Sequence, residues 1–189
     1  MIPFQKIREA GDWTLFLDRD GTINKRLPND YVKTTEEFEF LPRALEAIKI
    51  FSQLFQHVII VTNQQGIGKE LMTDDDLHVV HDNMTKDIIA NGGYIDQIYY
   101  CPYLAIDNPT SRKPNPGMAF QAAEDFPEIH FKRSLMIGDT MSDMLFGHQL
   151  GMKTILLNSA SLLGKNDAES IVGMEMASLY EVALYLRQS

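Results

Sequence analysis

The chain alternates between short apolar runs and longer segments in which apolar residues recur at helical spacing. The short runs predict five β-strands, at residues 13–18, 58–62, 95–101, 134–139 and 154–157. The segments between and after them predict helices at residues 43–55, 73–90, 117–124, 143–150 and 175–186. Strands that alternate with helices indicate an α/β fold built on a parallel, doubly wound sheet.

One long segment, residues 23–41, fits neither pattern. It is polar and contains Pro28, which predicts a loop or a hairpin flap that follows the first strand. Loops of this length inside a compact domain are often functional. With 189 residues in total, we expect a single domain that spans residues 1–189.

Composition narrows the classes of function. The formal net charge of −9 disfavours nucleic acid as a partner, so an anionic ligand needs local positive charge or a metal ion. The longest apolar run, residues 57–61, is too short to cross a membrane. Cys101 is the single cysteine, and the segment Met1–Gln5 lacks the pattern of a signal peptide. We therefore expect a cytoplasmic protein that binds neither nucleic acid nor membranes, with a monomer favoured.

Two carboxylates, Asp18 and Asp20, stand two positions apart where the first strand becomes a Gly-Thr turn. Alternate residues of a strand point the same way, so both side chains could line one crevice at the sheet edge. Crowded carboxylates repel unless a cation or a shared proton lies between them, which suggests a magnesium-type site. A carboxylate can also act as a nucleophile toward phosphorus. The alternative is an ordinary polar turn.

The loop after the second strand offers a hydroxyl and three amides, which could bind a phosphate group. The alternative is an ordinary polar loop. These residues are Thr62, Asn63, Gln64 and Gln65.

Two later strand ends also carry charged side chains. Lys113, beside Arg112 and stiffened by Pro114, could supply a fixed positive charge; alternatively, Arg112 and Lys113 are a solvated pair. Asp139 could complete a cation site with Asp143 one helical turn further on, or either could cap the following helix.

Taken together, the order of these motifs resembles the haloacid dehalogenase superfamily of phosphotransferases. The similarity spans about residues 13 to 157, from Asp-x-Asp-Gly-Thr through strand-Thr and Lys-Pro to Gly-Asp-x-x-x-Asp. Further stretches, such as residues 30–32, 61–68, 101–102 and 112–118, are similar to the histidinol-phosphatase-like branch. This resemblance implies a Rossmann-like core, and no insertion large enough for a cap domain interrupts residues 22–113.

The resemblance also implies roles for individual residues. Asp18 would be the nucleophile and Asp20 the general acid and base, with Mg²⁺ held by Asp18, the Asp20 carbonyl and Asp139. Asp143 would orient waters or brace the site from outside the metal's direct ligands. Thr62 and Lys113 would hold the phosphoryl oxygens. The substrate-binding residues would be Arg112, Asn63, Gln64, Gln65 and Arg19, although the Arg19 side chain could instead face away from the crevice.

The implied substrate is a small phosphorylated sugar. Within the branch, the similarity points to D-glycero-D-manno-heptose 1,7-bisphosphate cleaved at carbon 7, with the loops 23–41 and 101–111 setting specificity. The alternative is histidinol phosphate or another phosphate ester handled by the same branch. An alternative of a different class is a non-catalytic domain that binds a metal or a partner.

The branch usually carries a zinc loop of the pattern Cys-x-His followed by Cys-x-Cys, and this chain departs from it. Cys101 is kept, but Tyr103, Pro109 and Ser111 stand at the other three ligand positions. A structural zinc site needs four nitrogen or sulfur ligands. We therefore expect no structural zinc.

Overall fold

The computed structural model of the protein describes residues 11–157 and 170–188. The strands and helices, numbered in chain order, are β1 (Thr14–Leu17), α1 (Ala44–Leu54), β2 (His57–Asn63), α2 (Asp74–Ala90), β3 (Gln97–Cys101), α3 (Gly117–Asp125), β4 (Ser134–Gly138), α4 (Met141–Gln149), β5 (Lys153–Leu157), β6 (Met174–Met176) and α5 (Leu179–Gln188). The segment Met1–Gln5, for which the sequence predicts no signal peptide, lies outside the described residues.

The strands form one parallel sheet in the order β3-β2-β1-β4-β5-β6. β1 is central, and its last residue, Leu17, pairs with Ile60 of β2 on one side and Ile137 of β4 on the other. The strand order changes direction between β1 and β4, which is the place where open α/β sheets bind ligands. The loops after β1, β2 and β4 therefore meet at one edge of the sheet.

Helices cover both faces of the sheet, which explains why β1 is a continuous apolar run. Leu15 and Leu17 face a core shared with α1, α2 and α5. Phe16 faces the opposite core, shared with α3 and α4, where its ring meets that of Phe146 edge to face. Because β1 is packed on both faces, the position of the residue that follows it, Asp18, is well fixed.

The predicted fold class is confirmed, with one strand missed. Met174–Met176 forms the edge strand β6, and the last helix begins at Leu179 instead of residue 175. β6 has only three residues, too few for a periodic pattern to separate it from the helix that follows. The segment 23–41 is a loop, as predicted, closed on itself by hydrogen bonds such as Leu41 N to Ile23 O. Over the described ranges, no helix combines the length and the apolar character needed to cross a bilayer.

Candidate active site

Asp18 and Lys113 form a buried ion pair at the centre of the sheet edge. The Lys113 Nζ donates to Asp18 Oδ1 at 2.7 Å and to the Val61 carbonyl at 2.6 Å, and lies 2.6 Å from Asp143 Oδ1. These three contacts use all three N–H groups of the ammonium. The segment 112–113 therefore provides a fixed charge against the end of β1, as the sequence predicts, and does not form a solvated pair.

Burial and the neighbouring charges shift the pKa values of this pair. Burial is the main cause that raises the pKa of Asp18, to about 7, with Asp143 and Asp139 adding repulsion and Lys113 opposing it. For Lys113, burial alone would lower the pKa, but the carboxylates of Asp143 and Asp18 outweigh it and raise the pKa above its usual range. A further positive charge beside Asp18 would favour its ionised, nucleophilic form.

Asp20 is held by a different set of donors. Arg19 Nη2 donates to both Asp20 carboxylate oxygens at 2.9 Å, and Arg19 Nε donates to Oδ2 at 3.2 Å. Asn24 Nδ2 donates to Oδ1 at 2.9 Å, and Gln64 Nε2 donates to Oδ2 at 2.8 Å. Burial alone would raise the pKa of Asp20, but the charge of Arg19 and these hydrogen bonds outweigh it and lower the pKa.

Arg19 and Gln64, which were predicted to contact the substrate, do not line the cavity. Both side chains are fully buried and point at Asp20 from behind. Gln64 Nε2 also donates to Thr62 Oγ1 at 2.9 Å. For Arg19, the alternative that its side chain faces away from the crevice is the one observed. Both residues therefore orient Asp20 and lie outside the cavity.

Three oxygens of the predicted magnesium ligands meet at one positive charge, the guanidinium of Arg26. Its Nη2 donates to the Asp20 carbonyl and to Asp139 Oδ1, each at 2.7 Å, and lies 3.8 Å from Asp18 Oδ2. Gly21 allows this approach: its φ is +92°, and a Cβ there would lie 2.0 Å from Asp139 Oδ2. The donor set consists of hard oxygens gathered around one point, which fits Mg²⁺.

Asp143 belongs to the same acidic cluster but is engaged by other partners. Carboxylate oxygens of Asp18, Asp139 and Asp143 all lie within 4.8 Å of one another. Asp143 Oδ2, however, accepts from the Thr140 backbone N and Oγ1, and Oδ1 lies against Lys113. The N-cap of α4 is Thr140, so neither Asp139 nor Asp143 takes that position. Asp143 completes the capping box from the third helical position and also braces Lys113.

A cavity of about 710 Å³ opens above these groups. Its wall includes Thr62, Gln65 and Arg112 as predicted, and the Arg112 Nη1 is buried with no partner among the described residues. Asn63 also lines the cavity, but its side-chain amide exchanges two hydrogen bonds with the Lys113 backbone, at 3.0 and 3.1 Å. Asn63 therefore fixes the position of Lys113.

Four residues at or near the site were missed by sequence reasoning: Arg26, Tyr31, Lys69 and His81. Tyr31 and Lys69 line the cavity together, with the Lys69 ammonium 5.2 Å from the centre of the Tyr31 ring. The Tyr31 hydroxyl accepts from Gln65 Nε2 at 2.9 Å. The motif at residues 30–32 was the available signal for Tyr31, and the basic position 26 in the predicted flap was the signal for Arg26.

We expect Arg26→Ala to bind a divalent cation more tightly than the wild type does, because the Arg26 guanidinium competes for the same oxygens. The side chain is half exposed, so the gain should be roughly two- to fivefold, the scale of an exposed ion pair. Titration of the phosphate-free protein with Mn²⁺, followed by electron paramagnetic resonance, measures it. Arg43→Ala, which removes an exposed arginine paired with Glu46, is the matched control. Unchanged or weaker binding in Arg26→Ala would show that Arg26 does not cover the cation site.

Comparison with known proteins points to one group of hydrolases. A family model described as "HAD-hyrolase-like" matches residues 110–176. The D-glycero-alpha-D-manno-heptose-1,7-bisphosphate 7-phosphatase of Mycobacterium bovis is 32% identical over 177 residues, covering 94% of this chain and 93% of that protein. The D-glycero-beta-D-manno-heptose-1,7-bisphosphate 7-phosphatase of Helicobacter pylori is 37% identical over 144 residues, covering 76% of this chain and 81% of that protein.

A solved structure extends the similarity to three dimensions. The D,D-heptose 1,7-bisphosphate phosphatase of B. bronchiseptica, crystallised with magnesium and phosphate, superimposes with a TM-score of 0.85 at 29% identity. The match covers 93% of this chain and 98% of that one.

Proposed function

Because the chain belongs to the haloacid dehalogenase-like hydrolases, in the group that contains the heptose-1,7-bisphosphate 7-phosphatases, we propose that it is a Mg²⁺-dependent phosphatase that removes the 7-phosphate from D-glycero-D-manno-heptose 1,7-bisphosphate. The observation that carries the proposal is the convergence of Asp18, Lys113, Asp139 and the Asp20 carbonyl at one end of β1. It supplies a nucleophile, a fixed positive charge and a cation site in one place.

The chemistry proceeds in two displacements at phosphorus. An Asp18 carboxylate oxygen attacks the phosphorus of the 7-phosphate, the bond from phosphorus to the carbon-7 oxygen breaks, and Asp20 protonates that oxygen. Asp20 then takes a proton from water, whose oxygen attacks the phosphorus of the aspartyl phosphate. The bond to Asp18 breaks, which releases inorganic phosphate and restores the carboxylate.

The charged groups around Asp18 neutralise the phosphoryl group as it transfers. Asp18, the Asp20 carbonyl and Asp139 would hold Mg²⁺, which would supply positive charge near the phosphoryl group. Thr62 and Lys113 hold the same oxygens, and Lys113 must exchange one of its three present hydrogen bonds to do so. In such a transfer, positioning and charge neutralisation account for most of the rate enhancement.

Because the pKa of Asp20 is lowered, the source of the proton that it gives to the leaving oxygen must be explained. In the free protein Asp20 is a carboxylate, which is the form needed to activate water. Its role as an acid needs a proton that arrives with the substrate. A phosphate group loses its second proton near pH 6, so the monoanionic form of the ester can bring that proton.

Arg112 is proposed to hold the second phosphate, at carbon 1. It lines the cavity, and its Nη1 is buried without a partner among the described residues, so this nitrogen can donate to a phosphate oxygen. The M. bovis and H. pylori relatives are named for opposite anomers at carbon 1, so both anomers belong in the substrate test.

The function is tested by phosphate release from a panel of esters with Mg²⁺. The panel contains both heptose 1,7-bisphosphate anomers, fructose 1,6-bisphosphate, a heptose 7-phosphate and histidinol phosphate. We expect a heptose bisphosphate to rank first. Arg112→Ala should raise KM for it by roughly tenfold or more, the scale of lost hydrogen bonds to a charged group, with little effect on the monophosphate.

Arg133→Ala, an exposed arginine outside the cavity that pairs with Asp12, is the control for loss of a positive charge. Histidinol phosphate ranking above the sugar bisphosphates would replace the proposed substrate. No release from any ester would favour the non-catalytic alternative.

We also propose that the loop 101–111 is ordered without zinc. The Ser111 hydroxyl donates to Cys101 Sγ at 3.3 Å, and Asn115 Nδ2 donates to the Pro109 carbonyl at 2.9 Å. The Gly117 N donates to the Thr110 carbonyl at 2.9 Å. These hydrogen bonds between protein groups support the proposal.

A further inference from the structure

We propose that His81 on α2 is a positioning residue, which holds Arg19 and through it orients the Asp20 carboxylate for proton transfer. The inference rests on the proposed function, since it concerns the acid-base residue of that reaction. His81 is separate from the substrate cavity, and its ring packs against that of Tyr100, whose centre lies 6.2 Å away.

The contact between Arg19 and His81 fixes the tautomer and the charge of the imidazole. Arg19 Nη1 lies 3.0 Å from His81 Nε2, and both side chains are buried. A guanidinium can only donate, so Nε2 must accept, and the His81 proton is on Nδ1. Burial, followed by the charge of Arg19, lowers the pKa of His81 to about 3, which keeps the ring neutral at working pH.

Arg19 needs this acceptor because its charge is fully buried. Three of its hydrogen bonds go to Asp20 through Nε and Nη2. Among the residues that the structure describes, Nη1 has His81 as its hydrogen-bond partner. A buried donor without a partner is costly, so the loss of His81 would drive the guanidinium to a new position. The Asp20 carboxylate, held on three bonds by the same group, would move with it.

The chain therefore contains a relay of three side chains, from α2 inward: His81, Arg19 and Asp20. In the proposed reaction, Asp20 faces the reacting oxygen of the substrate. Asn24 and Gln64 also donate hydrogen bonds to the Asp20 carboxylate. Loss of the relay should therefore change the orientation of this carboxylate but leave it in the site. The effect of breaking it should appear only where Asp20 transfers a proton.

Two substitutions separate the hydrogen bond from the bulk of the ring. His81→Leu removes the acceptor at similar volume, whereas His81→Gln offers an amide oxygen near the position of Nε2. His78→Leu, one turn earlier on α2 and exposed, is the matched control. Thermal unfolding of each variant shows whether it is folded before any rate is measured.

The kinetic test compares two esters by kcat/KM, which reports the steps up to formation of the aspartyl phosphate. A sugar phosphate needs a proton on its leaving oxygen, whereas p-nitrophenolate leaves without one. We expect His81→Leu to lower kcat/KM for the sugar bisphosphate by roughly 10–100-fold, the scale for losing a partner that orients a reacting group. The value for p-nitrophenyl phosphate should stay near wild type. His81→Gln should recover most of the loss, and His78→Leu should match wild type.

Equal losses on both esters, or no loss on either, would overturn the proposal. If the wild type cleaves other alkyl phosphates but no heptose bisphosphate, the proposed substrate fails, and the same comparison is made with the alkyl phosphate that it does cleave.

Nitrogen-15 NMR of the His81 imidazole tests the relay without turnover. We expect a neutral ring with the proton on Nδ1 at neutral pH. A proton on Nε2, or a charged imidazolium, would contradict it.

Discussion

Asp18→Asn is expected to leave less than about 1% of the wild-type rate of phosphate release, because an amide is not a usable nucleophile toward phosphorus. The reason is local: Asp18 directly follows the central strand, and Lys113 Nζ lies 2.7 Å from its Oδ1. Phosphate release with Mg²⁺ and the heptose bisphosphate measures the effect. Asp82→Asn, an exposed change on α2, controls for the loss of one negative charge.

The same variant should be more stable than the wild type when metal-free at pH 7. The pKa of Asp18 is about 7 in the folded protein, mainly through burial, against an ordinary value of 3.8. The folded state thus binds this proton more tightly than the unfolded chain, and wild-type stability falls as pH rises through that window. The melting temperature of Asp18→Asn should exceed that of the wild type at pH 7, with the gap closing as pH falls toward 4. Retained turnover in a folded Asp18→Asn protein would exclude the aspartyl-phosphate route.

Asp20→Asn is expected to slow turnover by roughly 10²–10⁴-fold, the usual contribution of general acid-base catalysis. With p-nitrophenyl phosphate the first displacement needs no proton donor, whereas the second still needs a base for water. The variant should therefore give a rapid burst of p-nitrophenolate followed by a slow steady state. Stopped-flow absorbance measures both phases.

The Asp20→Asn experiment needs a check of folding, because the substitution leaves the buried Arg19 without its carboxylate partner. Circular dichroism and the burst itself provide that check, since only a folded protein forms the intermediate. A steady-state rate equal to wild type would show that another group transfers the proton.

The sequence predicted most of the acidic cluster for a topological reason. The carboxyl ends of neighbouring parallel strands meet at one sheet edge, so Asp18 after β1, Thr62 on β2 and Asp139 after β4 had to converge once the strands were recognised. Lys113 follows β3 through a loop, and its place depended on the family resemblance. The structure adds that Lys113 is held by the Asn63 amide.

Loop paths and helix orientations were not predictable in the same way. Arg26 contacts Asp139 across 113 positions, and Arg19 contacts His81 across 62, so no local pattern links either pair. The alternation of a strand also ends with β1 at Leu17, so it could not decide which way Arg19 points in the turn that follows. Asp143 has both a capping and a bracing role, and its spacing from Asp139 is compatible with either.

The central claim, a covalent aspartyl phosphate on Asp18, is tested most directly by trapping it. The protein is mixed with Mg²⁺ and substrate, quenched in acid and treated with borohydride, which reduces an aspartyl phosphate to homoserine. Peptide mass spectrometry then locates the product. We predict homoserine at position 18 in the wild type, more of it in Asp20→Asn, and none without substrate. Unmodified Asp18 in an actively turning-over sample, or homoserine at another aspartate, would contradict the account.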